Sequence, residues 1–276
     1  MLKIKRRKDS LPFFSDNVVY QYGVCSEEIF STVQKYLVDA DRNIYVERIV
    51  RKREEYSKAY YDLLQHRQYE YFVDEICLKS RNDEISYPGY CCVCKKNQKF
   101  IIDYRQTEIT DGIGKTPNWR EGMICPDCGC NSRTRVLYMG LQKNVAMEDT
   151  RILICEDNDM IFLNAKKKYH CAYKLKENYP ADYFDLAISN DVQVKDYNYL
   201  SLWAYFAKVL KAGGKLVMNL CFDANADVKN EDGSVWGWDI IDALKDCGFS
   251  DAYGKVYFSG KDGYLGYLSV FFEAVK

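Results

Sequence analysis

The sequence predicts an α/β protein, and three stretches carry that prediction. From Phe184 to Leu220 an apolar run ending in Ser189, Asn190 and Asp191 is followed by LSLWAYFAKVLK, a Gly213-Gly214 stop and a second apolar run, KLVMNL. Strand, amphipathic helix and strand in that order form one β-α-β unit, and parallel strands joined by a helix imply an α/β sheet. Upstream, Arg151 to Glu156 reads RILICE, a buried-strand signal. Near the end, AYGKVYF and YLSVFFEAV are joined by SGKDG and read as a hairpin.

The chain has 276 residues, 47% hydrophobic and 29% charged, long enough for two globular domains. Its first fourteen residues are basic, but no apolar run of about 7 to 15 residues follows them, so residues 1–14 read as a flexible tail and not as a signal peptide. A net charge of −1 argues against a dedicated nucleic-acid binder, and no stretch reads as a membrane span. Twelve cysteines in a chain that is neither small nor visibly secreted point to a reducing cytoplasm.

Residues 15–88 read as a small helical subdomain. Ser26 is an N-cap candidate with Glu27 and Glu28 in the first turn. A longer helix is expected from Asp41, because Val46, Ile49, Val50, Tyr56, Tyr60, Leu63 and Leu64 recur at steps of three and four. A third helical piece is expected from Tyr69 to Lys79. The basic and tyrosine-rich faces suit either a solvated and packed surface or a substrate platform. The subdomain itself suits a lid, a homodimer interface or a surface for another protein.

Residues 89–135 carry the strongest local signal. Cys91-x-x-Cys94 and Cys125-x-x-Cys128 are two knuckles, each able to offer two thiolates to one tetrahedral ion, with Pro126 and Gly129 suited to the second turn. Two such pairs spell a zinc ribbon with a closed, structural zinc site. Redox pairs within each knuckle are the competing reading. Cys92 and Cys130 lie beside the knuckles as spares, and Cys92 replaces Cys91 if the register shifts.

Two segments resemble a known family. FDLAISNDV, the helix ending VLKAGG and the strand beginning KL are similar to the central motif of class I S-adenosylmethionine-dependent methyltransferases, and GWDIIDALKDCGFSDA strengthens the likeness. Trp119 to Arg135, with Arg120, Glu121, Asn131 and Arg133 around the second knuckle, resembles the cysteine-rich segment before the catalytic domain in bacterial methyltransferase-like proteins associated with surface polysaccharides. The resemblance implies a Rossmann-like class I methyltransferase sheet over residues 136–276, S-adenosylmethionine as cofactor and O-methylation of a sugar or polysaccharide precursor.

It also assigns residues. Glu156, Asp157 and Asn190 fall at the cofactor positions and Asp191 at the site of a catalytic base. Glu156 alternatively caps the next helix, and Asp191 alternatively caps the helix that follows it. Arg133 and Arg135 suit a phosphate or carboxylate of the substrate, or equally an ion pair tying the ribbon to the next domain. Trp236 suits a substrate cover or packing against the last helix.

The sequence also departs from the family. The turn after RILICE reads Glu156-Asp157-Asn158-Asp159 with no glycine, and Lys174 and Lys176 flank the end of the next strand, where an acid is expected. The residues from Lys176 to Tyr183 are too few for a parallel crossover of about a dozen, so the sheet is shortened by one strand. Neither His66 nor His170 stands where a general base is needed. A catalytically inactive binding or partner subunit is therefore the alternative function.

Overall fold

The computed structural model describes residues 45–64, 86–102, 109–110, 114–115, 119–145, 147, 149–156, 160–169, 171–176, 178–190, 192, 198–265 and 270–276. The basic tail, the helices expected before residue 45 and at Tyr69–Lys79, and His66, His170, Asp157 and Asp191 lie outside them. Within them the elements run β1 (Tyr45–Val50), α1 (Arg53–Leu64), β2 (Ser86–Cys91), β3 (Lys96–Ile102), β4 (Ile109–Thr110), β5 (Gly114–Lys115), β6 (Met123–Ile124) and α2 (Ser132–Asn144). They continue with β7 (Ile152–Glu156), α3 (Met160–Lys166), β8 (Ala172–Lys174), β9 (Phe184–Asn190), α4 (Tyr199–Val209), β10 (Leu210–Asn219), α5 (Ile240–Asp246), β11 (Asp251–Ser259) and β12 (Val270–Val275).

One seven-stranded sheet, in the order β1-β11-β12-β10-β9-β7-β8, organises these elements. β8, β7, β9 and β10 are mutually parallel, and β12 runs antiparallel between β10 and β11. This is a mixed α/β sheet, four parallel strands extended by an antiparallel pair that closes it. Beyond β8 no further strand is present among the described residues, and the sheet ends in a three-residue edge carrying Lys174, a short, charged ending of the kind that blunts edge-to-edge pairing.

Alternation of side chains across the sheet builds two cores. In β7, Leu153 and Cys155 face the cluster holding Trp203, Phe206 and Leu244 of α4 and α5, whereas Ile152 and Ile154 face Leu137 and Leu141 of α2 and Ile161 of α3. Both faces are covered, which is why the parallel strands read as unbroken apolar runs.

The helix expected from Asp41 is corrected at its start. Tyr45–Val50 is an edge strand, antiparallel to β11 from Tyr45↔Ser259 to Val50↔Gly254, and helix begins only at Arg53. Tyr, Val and Ile favour strands as readily as they satisfy a helical period, and the exposed edge of β11 decides between the two. Tyr56 then stacks on Tyr60 and packs 5.7 Å from Trp238, seating α1 on the sheet.

The β9-α4-β10 unit is tightened by a bulge. Gly213, at φ 75°, sits where β10 shifts register against β9, a left-handed conformation that a side chain would strain. Asp185 holds the bulge to the start of β7: its carboxylate accepts from Arg151 N at 2.9 Å and Lys211 Nζ at 2.5 Å. Among the described residues no helix is long and apolar enough to cross a membrane.

Burial works to raise the Asp185 pKa, but Lys211 and the Arg151 amide outweigh it and hold the carboxyl below its usual 3.8. A depressed carboxyl contributes stability above its unfolded pKa and loses it as pH falls through the folded one. Asp185→Asn is therefore expected to cost about 1 kcal/mol near pH 7, a modest figure because the side chain is 35% exposed and screened. Urea titrations of both proteins should show that difference shrink toward zero below about pH 4.

Candidate functional site

The two cysteine knuckles share one local geometry. Lys95 N donates to Cys91 O at 2.8 Å and Gly129 N donates to Cys125 O at 2.9 Å, each from a residue with positive φ just after the second cysteine. These turns fold both thiols of a knuckle to the same side. β2 and β3 position the first knuckle and β6 the second, within one three-stranded sheet.

The four sulfurs lie within 4.8 Å of one another, with Cys91 Sγ to Cys128 Sγ and Cys94 Sγ to Cys125 Sγ both 3.8 Å. A tetrahedral ion with metal–sulfur bonds near 2.3 Å requires sulfur–sulfur edges of about 3.8 Å, so the donor set fits such an ion. These short contacts join one knuckle to the other, which is the pattern of a shared metal and not of a redox pair within each Cys-x-x-Cys.

Hydrogen bonding to Cys128, then burial, pushes the Cys91 thiol up, while burial and the neighbouring Cys91 push Cys94 to about 12. A bound cation reverses both effects by stabilising thiolates. Cys92 faces away from the centre: it accepts from Tyr264 Oη at 3.1 Å and donates to Arg135 O at 3.4 Å.

Arg135 is completely buried. Its guanidinium stacks 3.7 Å from the Phe100 ring of the ribbon and donates to Asp262 O at 2.8 Å, Gly263 O at 3.0 Å and Ser132 Oγ at 3.0 Å. The substrate role expected of it is corrected. It ties the ribbon to the β11–β12 turn, through backbone carbonyls and an aromatic face where an ion pair was the alternative expected.

Arg133, two residues earlier, reaches the other way. Its Nε donates to Glu121 Oε1 at 2.7 Å and its Nη1 to Asn190 Oδ1 at 3.2 Å. Asn131 caps α2 by accepting from Thr134 N at 2.9 Å, and its amide donates to Glu121 Oε2 at 2.7 Å. Arg120 also lies 3.5 Å from Glu121. The W-R-E and N-x-R elements thus form one network over the carboxyl ends of the strands.

Those ends align. Glu156 is in register with Asn190, and Asn190 with Asn219, the last residues of β7, β9 and β10. β7 and β9 flank the point where the chain reverses its direction of travel across the sheet, the place where open α/β sheets bind ligands. Asn219 Oδ1 is buried without a hydrogen-bond partner among the described residues, and its side chain lines a cavity of 20 Å³ with Arg133, Ser132 and Tyr264.

Glu156 adopts the capping alternative. Its carboxylate accepts from Ile161 N at 3.0 Å and Phe162 N at 2.5 Å in the first turn of α3. The second knuckle closes on the same turn, for a Cβ on Gly129 would stand 2.9 Å from Met160 Cε. Trp236 is 2% exposed and packs 4.8 Å from Trp203 of α4, where packing against the last helix was the alternative expected. The structure therefore brings together Glu156, Asn190 and Arg133. Glu121 and Asn219 join this group unforeseen, although Asn219 shows the same signal as Asn190, a lone polar residue ending an apolar strand.

No family model and no curated protein matches the chain. Among solved structures it is similar to the [4+2]-cyclase SpnF at 13% identity and TM-score 0.36, over 44% of this chain and 60% of that one, so it spans less than two thirds of the cyclase. It is similar to PigF, solved with SAH, at 12% identity and TM-score 0.31, over 51% of this chain and 48% of that one. A third likeness is to the tRNA (m1A58) methyltransferase TrmI from Aquifex aeolicus, at 10% identity and TM-score 0.32, over 71% and 98%.

Replacing the Arg135 fork by an ammonium removes the stack and leaves buried carbonyls short of donors. Arg135→Lys is expected to cost about 3 kcal/mol. The measurement is a urea titration, read as a lower midpoint at unchanged slope; a loss below about 0.5 kcal/mol would show that the stack carries little.

Proposed function

We propose that the chain is an S-adenosylmethionine-dependent methyltransferase acting on a hydroxyl of a sugar or polysaccharide precursor in the cytoplasm. The observation that carries this reading is the in-register polar row Glu156, Asn190 and Asn219 at the carboxyl edge, with Arg133 held over it. The acceptor class rests on the resemblance of the Trp119–Arg135 segment alone.

Two of the described residues carry groups of the type the amino-acid end of the cofactor requires, one beside a cavity of 20 Å³ that would have to open and the other paired with Glu121. The unpartnered Asn219 Oδ1 would take its ammonium group, and Arg133 would take its carboxylate. When bound, the cofactor supplies a methyl group activated by a sulfonium. The protein's part is positioning and proton removal. Glu156 fixes the first turn of α3 beside the row, and Asp191, next to Asn190 in the chain, is the group assigned to receive the hydroxyl proton.

A second reading, a catalytically inactive binding subunit, is favoured by one observation. The Glu156 carboxylate already takes amides at the start of α3, in a turn without glycine. Calorimetric titration with S-adenosylmethionine and S-adenosylhomocysteine separates the two. Saturable binding, weakened about tenfold in Asn219→Ala, is expected. No saturable heat near millimolar ligand would remove the enzyme reading.

For the cysteine centre we infer structural zinc. Four thiolates close the tetrahedron and leave no position for a substrate, so the ion organises the ribbon and takes no part in transfer. Metal analysis of the purified chain should give about one zinc per molecule, and the double change Cys125→Ser, Cys128→Ser should release it and unfold the ribbon. A metal-free chain that keeps its full thermal transition would rule the centre out.

A further inference from the structure

A second concavity shares no lining residue with the carboxyl-edge row. It is a groove of 660 Å³, within the range of small-molecule sites, walled by Leu200 and Ala204 of α4 and by Asp242 and Asp246 of α5, with Trp236 and Asp239 also lining it.

Two of its polar atoms are left over. Trp236 Nε1 and Asp239 Oδ1 are buried and have no hydrogen-bond partner among the described residues. The neighbouring indole shows that this loop can satisfy such a group, because Trp238 Nε1 donates to Ala224 O at 3.0 Å. Asp239 stands at the N-cap of α5 yet makes no side-chain cap bond, and its other oxygen accepts from Lys229 N at 3.1 Å. A donor and an anionic acceptor that the fold does not pair thus belong to two residues lining one groove, and a buried polar group without a partner is costly.

Charge adds a sign to this pattern. Asp239, Asp242 and Asp246 line the groove, and among the described residues the one basic residue lining it is Lys229. The Lys229 ammonium lies 4.5 Å from the centroid of the Trp236 ring, so the indole already carries an alkylammonium on its face. The spacing of Asp239, Asp242 and Asp246 sets all three carboxylates along one face of α5.

We propose that this groove binds a small cationic, hydroxyl-bearing ligand, and that amino sugars are the chemical class it fits. The ligand ammonium donates to Asp239 and lies in the field of Asp242 and Asp246. A hydroxyl oxygen accepts from Trp236 Nε1 after a local opening of the loop around that buried atom, and the apolar ring face rests on Leu200 and Ala204. A neutral sugar lacks the charge, and a simple diamine lacks the acceptor for the indole.

Calorimetry on the full chain with glucosamine, N-acetylglucosamine and putrescine tests this. Glucosamine is expected to bind saturably and to weaken with added salt, with the other two at least about tenfold weaker. The double change Asp242→Asn, Asp246→Asn alters two exposed side chains, so the thermal midpoint should hold while glucosamine affinity falls about tenfold. Trp236→Phe removes the N–H and keeps the ring, with a similar loss expected. No saturable binding of glucosamine, equal binding of any two probes, or affinity indifferent to the aspartate changes would each overturn the proposal. None of these results bears on S-adenosylmethionine binding, because the groove and the row have no side chain in common.

Discussion

The guanidinium of Arg135, buried to the last atom between the Phe100 ring and the carbonyls of Asp262 and Gly263, decides how the ribbon meets the sheet. An ion taken out of water at such a place is tolerable only where dipoles and an aromatic face replace its hydration. The same helical turn carries Arg133, whose fork points to Glu121 and Asn190. The cysteine centre and the carboxyl edge are therefore joined through the first turn of α2, and any shift of the ribbon is felt at the row of strand ends.

That row holds two demands in opposition. A loop that receives a ligand needs amides free to point at it, and a short helix needs its first amides satisfied. Here Glu156 meets the second demand from inside the chain. The next strand end, Asn190, is engaged by Arg133, and within this row only Asn219 keeps an acceptor without a partner among the described residues. The polar character of the edge is thus graded across the sheet, spent at β7 and unspent at β10.

Features set by near neighbours in the chain were legible in the sequence. Cys-x-x-Cys spacing fixes where two thiols point regardless of the remainder of the fold, and the β9-α4-β10 unit follows from apolar period and a glycine pair. Features set by distant pairing were not. Tyr45–Val50 satisfies a helical pattern and becomes a strand because β11 offers it an edge. A buried arginine also defeats sequence reading, since composition places arginine at the surface and only a tertiary aromatic face makes the exception. Trp236 shows the reverse, an aromatic in a polar loop that turns inward against Trp203.

β1 has one more consequence, which belongs to time and not to geometry. Tyr45 leaves the ribosome early, yet its partner Ser259 follows only after roughly two hundred further residues, a separation that makes this pairing among the slowest to close. Until that partner is made the strand has no mate, and an unpaired rim of β11 is an open edge until the two meet. The outermost pairing of the sheet therefore joins two segments that are far apart in synthesis as well as in sequence.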